Sequence, residues 1–452
     1  MTDEPTLTSQ AIARARSIDH RSDDVVQGAL HCLLDTLGVA IAGAHEPVTS
    51  LVRAEVLEEG GTPRATLWGT GEAVTRAQAA LVNGTAAHAL DFDDVSALME
   101  GHPSAPVLPA LLALAEGEAV TGDDLIAAFV TGFETQALVG RLMSPSHYAT
   151  GFHTTATVGA FGAAAAGARL LGLSDEAWLD TFGIVGSRAS GLKSMFGTMS
   201  KPLQVGAAAE SGMRAVLLAR RGVTADRDVL ASPQGFRATQ SDALGVTPEW
   251  AWSAPAVTKV LFKHHAACYL THSAIEGMLS LRRSGLTPDD VESIELAVPP
   301  GHLSVCNISE PATPLEGKFS LRFTAAMALV EGDLTESAFA LEHLTDPRVV
   351  ALRDRVTVEP RRDSTIRSSV VTVNRRDKGT IQVEVDVNRP TPADDLTLRW
   401  ESLVRKFRSL VEPVLGQRAA SRIIEEVSQL PTAPSVEPLL DALTSPNEET
   451  AS

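Results

Sequence analysis

The sequence predicts a mostly α fold, a large all-helical domain into which a smaller α+β domain is inserted. Three observations carry this expectation. Apolar residues recur at helical spacing almost without a break from Thr8 to about Arg221. After about Pro255, runs rich in β-branched residues alternate with helical ones. The 452 residues also exceed the size at which a single core usually keeps growing, which favours two domains.

In order along the chain, the spacing predicts helices over residues 24–43 and 46–59, then a short extended piece at Ala65 to Gly69. A helix over 76–91 delivers the acidic cluster DFDD at its C-terminal end, and 106–115 is short and apolar. The helix over 122–142 opens with Thr121, Asp123 and Asp124, which suit a helix N-terminus. Residues 155–171 have almost no polar face and read as a central helix enclosed by others. Helices over 174–186 and 202–221 follow, the second stopping at Gly222. Strands are expected at 291–298 and 353–359, and a hairpin at 368–373 and 380–387 around the loop NRRDKG. Helices at 272–283, 321–331 and 335–340 lie among them, and helices at 390–415, 421–430 and 436–443 close the chain before a frayed tail. The expected division is residues 1–262 with 392–452 for the helical domain and 263–391 for the α+β domain.

The formal net charge is −18, from 38 basic and 56 acidic residues, which argues against nucleic acid or an anionic membrane as partner. A local group of cations can still bind an anionic small molecule. The N-terminus has neither a basic nor an apolar signal region, so a cytoplasmic location is expected. Cys32, Cys268 and Cys306 are odd in number and far apart, which fits unpaired thiols. Dinucleotide, ATP, serine-hydrolase and HExxH zinc motifs are absent.

Four stretches place polar groups in Gly- and Ala-rich surroundings. They are DFDD with GHPSAP (91–94 and 101–106), SHYATGFHTT (146–155), GTMSKPLQ (197–204) and FKHHAACYLTH (262–272). Together they hold six histidines, two lysines and both tyrosines. Burying such groups is costly unless they are paired or used, which points to acid–base chemistry. His102 and His153 are candidate proton-transfer groups because imidazole titrates near neutrality, and Tyr148 can donate to a carboxylate. Lys201 precedes Pro202 at a helix start, where a cation is disfavoured unless an anion is bound there by the lysine and the free amides. Asp91 and Asp93 are candidate orienting carboxylates, and Asp94 a local cap. A divalent metal on the aspartates and His102 is a rival reading, although the spacing matches no specific metal motif. Lys263 and His272 lie at the expected domain boundary, a common place for a ligand cleft.

AAHALDFDD (86–94), GHPSAPVLPALLALAE (101–116), GFHTTATVGAFGAAAAGARLLGL (151–173), SGLKSMFGTMSKPLQVGAAAESG (190–212) and CYLTHSAIEG (268–277) resemble the MmgE/PrpD family over nearly the whole chain. The resemblance implies a cofactor-free homodimer with a helical domain and an α+β lid. It also implies one of three chemistries on small polycarboxylates: dehydration as with 2-methylcitrate, decarboxylation as with cis-aconitate, or epimerisation as with iminodisuccinate. Lyase chemistry is the leading expectation and epimerisation its alternative, with a non-catalytic small-acid binder as a third. The family's site residues fall on Asp91, His102, His153, Lys201, Lys263 and His272. Tyr148 and Asp93 complete the expected set, with no metal. Two departures stand out: Val95 follows DFDD where the dehydratase and decarboxylase branches carry threonine, and Phe323 in FSLRF replaces a tyrosine.

Overall fold

The computed structural model describes residues 4–242, 250, 254–332, 334–362, 368–376, 378–387 and 395–444. The fold is mostly α, as the sequence predicts. The helix Thr154–Leu170 is buried at every position from Thr154 to Ala168. It packs against Gly122–Met143, Ser200–Ala219, Ser104–Ala115 and Asp175–Gly186. Its Ala and Gly composition follows from that crowding, since Gly162 lies against the Gln136 side chain and Gly167 against Leu114 and Val216.

One close approach sets up the site. The helices Arg76–Ala89 and Ser200–Ala219 meet where a Cβ on Gly84 would stand 2.9 Å from the Gly206 Cα. Contact this tight needs glycine on both sides. Running from that contact toward the C-terminus of one helix leads to His88, and toward the N-terminus of the other to Lys201.

The second part of the chain carries a four-stranded sheet in the order Val356–Pro360, Val291–Val298, Ser368–Arg375, Gly379–Asp386. The first pair is parallel, with Ile294 opposite Val356, and the other two pairs are antiparallel. The helix His272–Arg283 covers the sheet at Val371, through Gly277, and packs on Leu321–Val330. The expected helix at 335–340 is a short 3-10 turn, Glu336–Phe339. The extended piece at 65–69 forms only the two-residue strand Ala65–Thr66, paired with Ala73–Val74.

The two expected C-terminal helices run on as Leu396–Gln429, broken at Gly416, whose φ is 82°. The first half lies along the helix Asp23–Gly43. The expected helix start at Pro390 and the tail beyond Ser445 lie outside the described residues. Two helices, Asp23–Gly43 and Gly122–Met143, are long and apolar enough to cross a membrane, yet 83% and 94% of these spans are buried within the fold. Both are core helices. Cys32, Cys268 and Cys306 are free thiols.

Candidate active site

The segment Leu90–Asp93 leaves the Arg76–Ala89 helix in a conformation that ordinary residues avoid, with Asp91 at a φ of 52°. Lysines from four distant parts of the chain hold it. Lys318 donates to the Leu90 carbonyl at 2.7 Å, Lys263 to the Asp91 carbonyl at 2.6 Å, and Lys406 to the Phe92 carbonyl at 2.6 Å. Lys201 takes the Asp91 side chain, donating to Oδ1 at 2.7 Å, and Lys263 also reaches Oδ1 at 3.0 Å. The left-handed Asp91, with the carbonyls of Leu90, Asp91 and Phe92 all occupied, is tolerated because each buried ammonium needs acceptors and the turn offers them.

Lys201 donates a second hydrogen to His88 Nε2 at 2.7 Å. The opposite nitrogen, Nδ1, lies 2.9 and 3.0 Å from the two Asp93 oxygens. This assigns the His88 proton to Nδ1, with Nε2 accepting from the lysine. His102 completes the row: its Nδ1 is 3.2 Å from Asp93 Oδ2 and its Nε2 is 3.8 Å from Asp91 Oδ1. Lys201, His88, Asp93 and His102 thus form one continuous polar line.

Burial sets the charges. It lowers His88 to about 4, only partly opposed by Asp93, and it lowers His102 and His153 as well, so all three imidazoles are neutral at pH 7. Burial alone would raise the carboxyl of Asp91, but Lys201 and Lys263 together outweigh it and keep Asp91 ionised. Asp93 is likewise held well below the usual carboxylate range, against its burial, by His102 and His88. Asp94 behaves differently: burial raises it to about 7, and it accepts from the Ser104 amide and hydroxyl at 3.2 and 2.5 Å. Its part is to fix the start of the Ser104–Ala115 helix.

These groups border a cavity of about 390 Å³ lined by Asp91, His102, Tyr148, His153, Lys193 and Lys201, among others. His153 is oriented by Gln204, its Nδ1 3.0 Å from Oε1. Lys193 sits 3.8 Å over the Tyr148 ring and donates to the Tyr148 carbonyl at 3.1 Å. Lys201 has three hydrogens, two of them engaged by protein, which leaves one for a ligand in the cavity.

Of the residues singled out in the sequence, Asp91, His102, Tyr148, His153 and Lys201 meet in this cavity. Asp93 and Lys263 stand directly behind it, on His102 and Asp91. His272 does not join them. Its ring stacks on Tyr269 at 4.9 Å, and it lines a second cavity on the other side of that tyrosine.

The start of the Lys201 helix does not offer the free amides that its sequence suggests. The helix begins at Ser200, and its first amides are taken internally: Ser200 by the Thr198 hydroxyl, Lys201 by the Thr198 carbonyl and Leu203 by that of Met199. The anion that offsets the lysine is Asp91 of this chain. Val95 lines the cavity, but Phe323 is buried against Phe339 and Gly317, outside the cavity wall. The lining residues include Lys193 as a second cation, beside Lys201.

The carboxylates and imidazoles of His88, Asp91, Asp93 and His102 all lie within 4.8 Å of one another, as a metal site would require. The donor set does not suit one. Two ammonium groups already bind the same Asp91 oxygen, and a dication placed there would face both.

His88, Lys193, Lys318 and Lys406 were not foreseen. Lys406 carried a signal, since it stands beside the buried stripe Leu403, Phe407 and Leu410 of its helix. Its ammonium also pairs with buried Asp35 at 2.7 Å.

The chain is similar to several known proteins. Residues 10–248 match the MmgE/PrpD N-terminal domain and residues 265–431 the MmgE/PrpD C-terminal domain. The cis-aconitate decarboxylase of Mus musculus is 30% identical over 367 residues, covering 76% of this chain and 73% of the relative. That of Homo sapiens is 29% identical, covering 91% and 89%. A mitochondrial 2-methylcitrate dehydratase of Yarrowia lipolytica is 26% identical, covering 82% and 77%. With both family domains matched in order over most of its length, the chain belongs to the MmgE/PrpD family.

Proposed function

We propose that the protein is a lyase of small polycarboxylates that works by proton transfer beside a carboxylate, with no added cofactor. The observation that carries this reading is the pairing of a free Lys201 hydrogen with neutral His102 on one wall of a cavity of about 390 Å³. The relatives named cis-aconitate decarboxylase and 2-methylcitrate dehydratase support the same substrate class.

In this reading one substrate carboxylate takes the third hydrogen of Lys201 and another meets Lys193, which lines the same cavity. Charge that develops next to the first carboxylate as a C–H or C–C bond breaks is stabilised by Lys201, which is already in place. His102 moves the proton, and Asp93 holds its ring and stabilises it when charged. Because the imidazoles start neutral, a polyanionic substrate raises their pKa on entry, so binding takes up protons from solution. His153 on the same cavity supports epimerisation as a second reading, since two proton-transfer groups at one carbon serve inversion. The α+β part, residues 263–391, serves as a lid, and the working state is a cytoplasmic homodimer.

The test is NMR of the purified protein in D₂O with cis-aconitate, 2-methylcitrate, citrate and iminodisuccinate. Release of CO₂ or of water, with a new alkene product, is the expected result. Deuterium entering the α-position with stereochemical scrambling and no elimination would replace the lyase reading with the epimerase one. Binding of these acids with neither turnover nor isotope exchange would overturn both.

A further inference from the structure

The second cavity, of about 310 Å³, is lined by Arg399, His265, His272, Tyr269, Glu276 and Asp386, among others. Tyr269 lines both cavities and forms part of the wall between them. Arg399 lies in the first turn of the Leu396–Gln429 helix and is 7% exposed. Its guanidinium carbon rests 5.3 Å over the Phe262 ring, and its Nε donates to His31 Nδ1 at 2.9 Å. Both terminal nitrogens are buried and have no hydrogen-bond partner among the described residues.

This arrangement is costly twice over. A buried guanidinium needs a counter-charge, and a cation at a helix N-terminus opposes the helix dipole. His31 is no counter-ion: burial and Arg399 itself lower it to about 3, which leaves its imidazole neutral. Glu276 is engaged by His265 Nε2 at 2.9 Å and Arg283 at 3.8 Å, and among the described residues neither it nor Asp386 forms an ion pair with Arg399. The two terminal nitrogens of Arg399 thus line the cavity as unpaired buried donors.

We propose that this cavity is a second anion site, separate from the catalytic one, in which a small oxyanion (carboxylate or phosphate) binds bidentate to the two terminal nitrogens of Arg399. The flat guanidinium fork matches both kinds of oxyanion, and Phe262 fixes its plane. His265 and His272 line the rest of the space. The site stands independently of the reaction assigned to the first cavity.

Calorimetric titration with inorganic phosphate, and separately with citrate, tests this on the full chain and on Lys201→Ala, which weakens binding in the catalytic cavity. One saturable site per chain is expected to persist in Lys201→Ala and to weaken at least tenfold in Arg399→Met. The tighter of the two probes identifies the source of the oxyanion. Arg399→Lys keeps the charge without the fork and is expected to weaken binding several-fold, which covers the case in which the Met variant does not fold. In anion-free buffer Arg399→Met is expected to melt no lower than the parent. Saturable binding of neither probe, or binding unchanged in both Arg399 variants, overturns the proposal. So does an Arg399→Met protein that melts lower and falls to a smaller oligomer, because the guanidinium would then be paired across a subunit contact.

Discussion

Lys263 lends itself to a quantitative test, because its ammonium is fully buried and serves a single residue. It donates to the Asp91 carbonyl at 2.6 Å and to Oδ1 at 3.0 Å. Lys263→Met keeps most of the stem and removes both bonds, leaving a buried carbonyl without a donor, at about 1–3 kcal/mol. The loss of one of two cations on Asp91 brings the total to about 3–5 kcal/mol, the usual cost of breaking a buried pair. Asp91→Asn does the reverse, leaving two ammonium groups on a neutral amide, and is expected to cost a similar amount. The double variant removes one charge of each sign, so the two losses should not add. We expect it to be more stable than the sum of the singles by about 1–3 kcal/mol. Urea unfolding of all four proteins, followed by circular dichroism and tryptophan fluorescence, measures the cycle. Additivity within about 0.5 kcal/mol would refute the argument that the lysine and the strained aspartate form one unit.

His102→Gln keeps a polar group beside Asp93 but cannot move a proton, and is expected to lower kcat by about 10²–10⁴-fold with little change in KM. A rise in KM with kcat preserved would assign His102 to binding instead. Lys193→Met is expected to raise KM for a tricarboxylate by about tenfold and leave kcat within a few-fold, which steady-state kinetics reads directly. Equal losses in kcat and kcat/KM would place Lys193 in the chemical step. Asp94 and His88 make opposite contributions to the pH dependence of stability. Asp94 is raised to about 7 in the fold, so the folded state holds a proton that the unfolded chain has lost, and stability from this group falls as pH rises from about 4 to 7. His88 is lowered to about 4, so the unfolded chain binds the extra proton, and stability from that group falls as pH drops from 6.5 to 4. Asp94→Asn removes the first effect alone, and relative to the parent it should gain roughly 2 kcal/mol between pH 5 and pH 7. A difference independent of pH would show that Asp94 is ionised throughout that range.

The sequence alone determined the mostly α fold and the position of nearly every long helix. Its apolar periodicity is strong, and Gly, Pro and capping residues mark the ends, as at Thr121 before the helix Gly122–Met143. It also picked out Asp91, His102, Tyr148, His153 and Lys201 of the first cavity, though not Lys193, because polar groups in Ala- and Gly-rich segments must be paired or used wherever the chain puts them. What it did not determine is which polar groups meet. His88 is one histidine in an alanine-rich helix until the contact of Gly84 with Gly206 brings Lys201 to it. Lys318 and Lys406 reach the Leu90–Asp93 turn from 228 and 314 positions away, and no local pattern records a partner at that distance. Lys201 and His272 show the same limit from the other side. A helix start suggested an external anion for Lys201, and the fold answered with Asp91. A boundary position suggested the catalytic cleft for His272, and the ring of Tyr269 placed it in the other cavity. Helices follow from spacing along the chain, whereas the pairing of buried charges follows from how the helices pack.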